Sequence, residues 1–179
     1  VYGFDPDQLM LECEKILGVL EGFETDEILF ADSEAQKNTL WSLRRKAGEA
    51  VKAQSIYKEE DTVVPRYALP QLLFHVKEIG KKYGFHSVCY GHAGDGNLHV
   101  NIIKGELSDE QWNTELPIAI RELFTEVIKL GGTISGEHGI GLVQKSYMDL
   151  AFPEVALNLM RNIKKVFDPK GILNPGKVF

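Results

Sequence analysis

The chain has 179 residues, of which 44% are apolar and 26% are charged, and its formal net charge is −6. This composition suits a folded globular domain of ordinary size and excludes a disordered segment. The acidic balance argues against nucleic acid as a partner, because proteins that follow a phosphate backbone carry a basic face. No apolar run approaches the roughly 20 residues of a membrane-spanning helix, so we expect no transmembrane segment.

The cysteines and the first residue of the chain indicate its compartment and its place in a longer protein. The two cysteines, Cys13 and Cys89, lack CxxC spacing and lie in apolar patterns. Such usage favours buried thiols and a reducing compartment, so we expect a soluble, cytoplasmic protein. The chain begins at Val1 without a targeting signal, from which we expect it to be a segment of a longer protein.

The first elements are predicted to be mostly helical. Residues 1–4 are compatible with the tail of a strand. Asp5 and Pro6 then suit the cap and first turn of a helix, which apolar residues at helical spacing continue until Gly22 ends it.

A short strand and a second helix are expected next. Residues 27–31 (EILFA) are short, apolar and typical of a strand. Asp32 or Ser33 then caps a helix that is predicted to end in the basic cluster at residues 44–46. A basic helix end is favoured by the helix dipole, and this is the ordinary explanation for such a cluster.

The middle of the chain predicts a strand, a helix and a hairpin. Residues 61–65 (DTVVP) indicate a strand, and residues 69–83 show one apolar helical face that Gly84 terminates. Residues 85–103 contain two β-rich arms, HSVCYGH and NLHVNII, around a glycine-rich turn. We therefore expect an antiparallel hairpin here.

The last third alternates helices and loops. A helix is predicted over residues 109–130, a glycine-rich loop over 131–141 and another helix over 153–167, followed by a tail of turns, DPKGILNPGKVF. Strands alternating with helices, together with a hairpin, predict an α+β fold. We expect a ferredoxin-like antiparallel sheet with helices packed on one face, in a single domain over residues 1–179.

The hairpin stretch CYGHAGDGNLHVNI is unusually rich in polar residues. Its glycines favour a turn, so His92 and His99 are expected to meet across the hairpin. Strand alternation directs His99 and Asn101 to one face and their apolar neighbours to the core. Asp95 is expected to stabilise the turn, or else to orient a histidine.

The loop GGTISGEHGIG places Glu137 and His138 between glycines, where adjacent ionisable groups are rare without a function. His92, His99 and Glu137 would form a set of two histidines and one carboxylate, which suits Zn(II), Fe(II) or Mn(II). Residue types alone leave open both a metal site and ordinary packed or surface histidines. For His75 and His86 we expect the latter.

These motifs carry a family resemblance. GHAGDGNLHVNI, SGEHGIG and the tail DPKGILNPGKVF closely resemble the C-terminal domain of FAD-linked oxidases, in the family of D-lactate dehydrogenase, glycolate oxidase and D-2-hydroxyglutarate dehydrogenase. LWSLRRKAGEA and DTVVPRYALP extend the resemblance upstream. The resemblance thus covers nearly the whole chain, and it implies a C-terminal cap domain that binds substrate and metal.

The resemblance also implies roles for particular residues. It makes His138 the catalytic base and gives a divalent metal, commonly zinc, the ligands His92, His99 and Glu137. It implies that substrate is bound by Arg44, Lys58 and Asn101, and that Asn174 contacts the cofactor. A threonine that hydroxyglutarate-type members carry is replaced here by Gly48, which argues against a substrate with a second carboxylate.

The activity implied is that of an FAD-dependent D-2-hydroxyacid dehydrogenase, which passes a hydride from a 2-hydroxy acid to flavin and yields a 2-oxo acid. FAD would be bound mainly by an N-terminal domain of the same full-length protein, absent from this chain, so we expect the isolated segment to be inactive. An electron-transfer partner and a peripheral membrane location are also implied. The alternatives are a free-standing metal-dependent hydrolase that uses the same site and a protein-binding module without metal.

Overall fold

The computed structural model describes residues 4–179, so the predicted strand tail lies almost wholly outside the described residues. The described residues form two compact units, one ending at Lys46 and one from Ala47 to Phe179. A single domain over the whole chain therefore stays a prediction. No helix in residues 4–179 combines the length and the apolar character needed to cross a bilayer.

The first unit begins with α1, Pro6–Leu20. The carboxylate of Asp5 accepts hydrogen bonds from the backbone N–H groups of Asp7 and Gln8, at 3.0 and 3.4 Å. These bonds satisfy donors that have no partner inside the helix. The predicted cap and helix are confirmed.

The second helix, α2, spans Glu34–Lys52. Ser33 Oγ accepts from the N–H of Gln36, and Gln36 Oε1 accepts in return from the N–H of Ser33, both at 3.3 Å. This reciprocal capping box confirms the predicted start. The predicted end at residues 44–46 is wrong, because basic residues favour a last turn without terminating a helix and no proline follows them.

The predicted strand at residues 27–31 is also wrong. This stretch is neither strand nor helix, and Ile28, Leu29 and Phe30 are exposed. Strand preference expresses packing against neighbouring strands, and none of the described strands pairs with these residues.

The second unit is built on a sheet of three strands. They are β1 (Tyr57–Val63), β2 (His86–Tyr90) and β3 (Asn97–Ile103), in the order β1-β3-β2 with both pairings antiparallel. The predicted hairpin is therefore confirmed. The strand predicted at 61–65 exists, but it starts at Tyr57.

The predicted α+β class is confirmed, and the sheet is ferredoxin-like in the order of its elements. Where that arrangement has a fourth strand beside β1, the structure has a single antiparallel bridge between Val63 and Thr133. Thr133 N–H donates to Val63 O at 3.0 Å. The bridge attaches the start of the glycine-rich loop to the edge of the sheet.

Two helices pack against one face of the sheet. Helix α3 is Leu69–Tyr83, as predicted, and Gly84 ends it with a φ of 76°. Helix α4 is Leu116–Lys129 and follows a π-helical turn, Gln111–Glu115. That turn precedes Pro117, whose missing N–H interrupts the regular helical bonding. The shared core is fully or nearly fully buried and includes Leu72, Val76, Val100, Ile102, Ile120 and Phe124.

The remaining elements lie at the C-terminal end. A short helix that the sequence did not predict, α5 (Met148–Ala151), precedes α6 (Glu154–Phe167). Pro153 caps α6 with extended backbone, in agreement with the predicted start. The tail beyond Phe167 consists of turns, as expected.

Candidate functional site

The face of the sheet opposite the core helices is polar. In the register of β1 and β3, Asp61 lies opposite His99 and Glu59 opposite Asn101. Directly opposite residues point to the same side of a sheet, so these four side chains share one face. The predicted alternation of β3 is confirmed, since Val100 and Ile102 are fully buried in the core.

Three predicted ligands come together on this face. One ligand atom each from His92, His99 and Glu137 lies within 4.8 Å of the other two. His92 Nε2 is 3.4 Å from Glu137 Oε1, and the two rings of His92 and His99 meet edge to face at 6.2 Å. His92 and Glu137 are exposed whereas His99 is buried, so the set is open to solvent on one side.

His138 lies beside this set. Its ring stacks on that of His99, with centroids 5.2 Å apart and planes inclined by 29°. Glu59, His99 and His138 form a second group whose ligand atoms lie within 4.8 Å of one another. His99 is therefore common to both groups and stands at the centre of the cluster.

Several buried polar atoms at the site have no hydrogen-bond partner among residues 4–179. They include His99 Nδ1 and both amide atoms of Asn101, which is fully buried. His99 Nδ1 is 3.3 Å from Glu59 Oε1 without the alignment of a hydrogen bond. Because unpaired buried polar groups are costly, they indicate a place where a ligand, an ion or water completes the bonding.

Asp61 joins the sheet to the glycine-rich loop. One of its oxygens, Oδ2, accepts from the N–H groups of Gly136, Glu137 and His138 at 2.9, 2.6 and 2.8 Å. Burial would raise the pKa of Asp61, but hydrogen bonds from the backbone of His138 and Glu137 and from Asn97 outweigh burial. The pKa therefore lies below its ordinary value, and the carboxylate is held ionised.

Glu60 faces the opposite way, into the core. It is fully buried, its Oε2 accepts from Gln144 Nε2 at 2.9 Å, and its Oε1 is 3.5 Å from Lys58 Nζ. Burial raises the pKa of Glu60 in spite of these two partners. Lys58, a predicted substrate ligand, thus shares the core side of β1, and the structure does not bring it to the histidine cluster.

The other predicted residues are placed as follows. Arg44 lies in the first unit, its guanidinium 5.3 Å from the centre of the Trp41 ring. Asn174 is in the exposed tail, with left-handed backbone (φ 46°). Asp95 is exposed in the hairpin turn, where its N–H donates to His92 O at 2.9 Å, so its placement matches the predicted turn role.

His75 and His86 lie outside the cluster. His75 is 4.0 Å from Glu126, and His86 is exposed on β2. This agrees with their prediction as packed or surface residues.

Sequence reasoning missed Glu59, Asp61 and Asn97. The available signal was the run YKEED, because side-chain alternation along a strand places Glu59 and Asp61 on the same face, opposite a histidine-bearing strand. Placing the start of β1 at residue 61 concealed that alternation.

Comparisons with known proteins match almost the whole chain. A profile of the family described as FAD linked oxidases, C-terminal domain, matches residues 1–178. The chain is 34% identical over 161 residues to a D-lactate dehydrogenase from Anaerostipes hadrus, which covers 89% of the chain and 34% of that relative.

Two further relatives carry related names. The chain is 34% identical to a glycolate oxidase subunit from Bacillus subtilis, over 98% of the chain and 36% of the relative. It is 35% identical to a D-2-hydroxyglutarate dehydrogenase from Stutzerimonas stutzeri, over 90% of the chain and 35% of the relative. The chain thus spans about a third of the length of these curated relatives.

Proposed function

Because the chain belongs to the family of C-terminal domains of FAD-linked oxidases, we propose that it is the substrate- and metal-binding part of an FAD-dependent D-2-hydroxyacid dehydrogenase. D-lactate and glycolate are the substrates we favour. The observation that carries this proposal is the convergence of His92, His99, Glu137 and His138 on the polar face of the sheet. The names of the relatives support the reaction class.

The donor set fits a divalent cation, for which we favour zinc. Two imidazoles and one carboxylate are ligands that zinc accepts, and three protein ligands leave a position for substrate. Buried His99 Nδ1 finds no hydrogen-bond partner in the described part of the chain, which supports a site that a ligand completes. We assign His92, His99 and Glu137 as the ligands. A cation bound there would lower the pKa of a substrate hydroxyl, and a flavin would supply the acceptor for the Cα hydrogen as hydride.

The protein's own residues then bind and deprotonate the substrate. His138, next to His99, takes the hydroxyl proton, a task that suits an imidazole near neutral pH. Asn101 offers a buried amide whose two polar atoms have no partner within the described residues, which suits a contact to the hydroxyl or carboxylate. Loss of the proton and of the Cα hydride leaves a 2-oxo acid.

Arg44 is proposed to hold the substrate carboxylate, because a guanidinium binds such a group through two parallel hydrogen bonds. A substrate contact from Lys58 stays a prediction that its place on the core side of β1 does not favour. Gly48, where hydroxyglutarate-type members carry threonine, leads us to propose substrates with one carboxylate.

The flavin is assigned to the part of the protein outside this chain. The sequence has no GxGxxG fingerprint, and GHAGDG does not match one. Asn174 in the tail is proposed as a contact to the cofactor. An electron-transfer partner for the reduced flavin and a cytoplasmic location, peripheral to the membrane, complete the proposal.

The hydrolase alternative gains no support from the comparisons, whose family and named relatives are oxidases and dehydrogenases. A protein-binding module without metal predicts that the purified protein contains no bound metal.

The test is anaerobic mixing of the intact protein with a panel of D-2-hydroxy acids while flavin absorbance is followed. We expect D-lactate or glycolate to reduce the flavin faster than D-2-hydroxyglutarate, and L-lactate, the matched stereochemical control, to be slow. Absence of reduction by every acid in the panel would refute the proposed reaction.

A further inference from the structure

We propose that Asp61 is the positioning residue that holds Glu137 and His138 against the strand carrying His99. The proposal rests on the proposed function for the roles of Glu137 and His138. The attachment of the loop itself is independent of those roles. Asp61 is 1% exposed, and the resemblance gave it no role, although it is the first residue of the DTVVPRYALP stretch.

Several hydrogen-bond donors converge on a single oxygen of Asp61. Asp61 Oδ2 accepts three successive backbone N–H groups and also the Ser135 hydroxyl at 3.2 Å. Successive N–H groups that point at one anion form a nest, which fixes the backbone of the residues that supply them. Two of those residues are Glu137 and His138, so the carboxylate sets where both side chains begin.

The other carboxylate oxygen of Asp61 contacts the end of the hairpin turn. Asp61 Oδ1 accepts from Asn97 Nδ2 at 2.8 Å, and Asn97 also donates to Thr62 O at 3.1 Å. The same oxygen lies 3.9 Å from His99 Nδ1. One carboxylate therefore joins the glycine-rich loop to the end of the hairpin turn, and it does so next to the central histidine.

The glycine-rich loop packs closely against the Asp61 carboxylate. A Cβ on Gly136 would lie 2.9 Å from Asp61 Oδ1 and would overlap the Asn97 amide. Gly136 is thus required for the loop to approach the carboxylate, which explains a glycine directly before Glu137.

An amide at position 61 cannot make the hydrogen bonds that the carboxylate makes. An asparagine at position 61 that turned its oxygen to the loop would set its NH₂ group against the NH₂ group of Asn97. In the opposite orientation it would leave the N–H groups of Gly136, Glu137 and His138 facing a donor. Both arrangements leave buried donors unpaired, which destabilises the contact.

Glu60 provides a matched control on the same strand. It is also a buried carboxylate, but it faces the core and accepts from Gln144 Nε2. Glu60→Gln and Asp61→Asn each replace a buried carboxyl group with an amide of nearly the same size. A difference between the two variants therefore reports the contact with the loop.

The experiment measures amide hydrogen exchange of the loop in the intact protein. In Asp61→Asn we expect the Glu137 and His138 amides to exchange at least about tenfold faster, because they lose a charged acceptor. In Glu60→Gln we expect the exchange rate of the loop amides, relative to the rate of amides that exchange only by global unfolding, to equal that of the wild type. Wild-type loop exchange in Asp61→Asn would overturn the proposal.

A second readout uses Co(II), whose visible absorption reports ligand geometry. We expect Asp61→Asn to bind Co(II) about 10–100-fold more weakly, with an altered spectrum, and Glu60→Gln to match the wild type. An unchanged Co(II) affinity and spectrum in Asp61→Asn would overturn its positioning role. If the wild type binds no Co(II), the proposed metal site fails, and loop exchange alone decides the role of Asp61.

Gly136→Ala keeps the proposal testable if Asp61→Asn does not fold. It leaves the carboxylate in place but pushes the loop away from it. The same faster exchange at Glu137 and His138 is expected, and wild-type exchange there would contradict the proposed attachment.

Discussion

Side-chain alternation along β1 separates site residues from core residues. Glu59 and Asp61 share the face of His99, whereas Lys58 and Glu60 lie on the core side. A change of one residue in register moves every side chain of a strand to the other face. For this reason Lys58, which was expected to contact substrate, lies on the core side of the sheet. Its neighbour Glu59 lies on the face of the histidine cluster.

His92→Ala tests the proposed ligands. Loss of one imidazole from a set of three should weaken metal binding at least about a hundredfold, since removing even an outer partner of a ligand costs 10–100-fold. Elemental analysis of the purified protein measures the metal content. His75→Ala, a histidine outside the cluster, is the control and should retain the wild-type content. Equal metal in both variants would exclude His92 as a ligand.

Glu60 is expected to make stability depend on pH. Its pKa in the folded protein is raised above the ordinary value of 4.5. Above that ordinary value the unfolded chain releases the proton while the folded chain still holds it, so the free energy of unfolding falls as pH rises. The decline ends once pH passes the raised pKa of the folded state.

Urea unfolding over a pH series measures this effect in the wild type and in Glu60→Gln. The variant cannot ionise at this position, so its free energy of unfolding should decline less between the ordinary and the raised pKa. Parallel pH profiles for the two proteins would show that Glu60 does not titrate differently on folding.

At the scale of elements, the hairpin turn requires a glycine at position 96. Gly96 has a φ of 76°, and a Cβ there would collide with Val64 O. Gly94, in the same turn, has open space around it and no positive φ. The two glycines therefore form a natural pair for comparing a required glycine with a permissive one.

Gly96→Ala should lower the free energy of unfolding by more than about 1 kcal/mol, because alanine fits neither the backbone conformation nor the space. Gly94→Ala should stay within about 0.5 kcal/mol of the wild type. Urea unfolding measures both. A Gly96→Ala protein as stable as Gly94→Ala would show that the turn relaxes without cost.

Elements defined by local signals were predictable. Helix α3 agrees at both ends because apolar spacing and Gly84 specify it within a short window. The strand predicted at residues 27–31 was wrong because an apolar run does not show whether a neighbouring strand is present to pair with it. The role of Asp61 was out of reach for a different reason: its loop partners lie 75 to 77 residues further along the chain.

At the scale of the whole molecule, the chain spans about a third of its curated relatives, at 34 to 36% of their length. We predict that the isolated 179-residue chain does not oxidise 2-hydroxy acids, because the proposed hydride acceptor is bound outside it. Dye reduction with D-lactate measures this, with the intact protein as the positive control. Substrate-dependent dye reduction by the isolated chain would contradict the assignment.

We propose that His138 of this chain is the base for hydroxy acid oxidation, and single-turnover flavin reduction in the intact protein tests this claim most directly. His138→Ala should reduce the flavin at least about a hundredfold more slowly at saturating substrate, with substrate affinity largely kept. His86→Ala, exposed on β2, should match the wild type. A wild-type rate of flavin reduction in His138→Ala would contradict the claim.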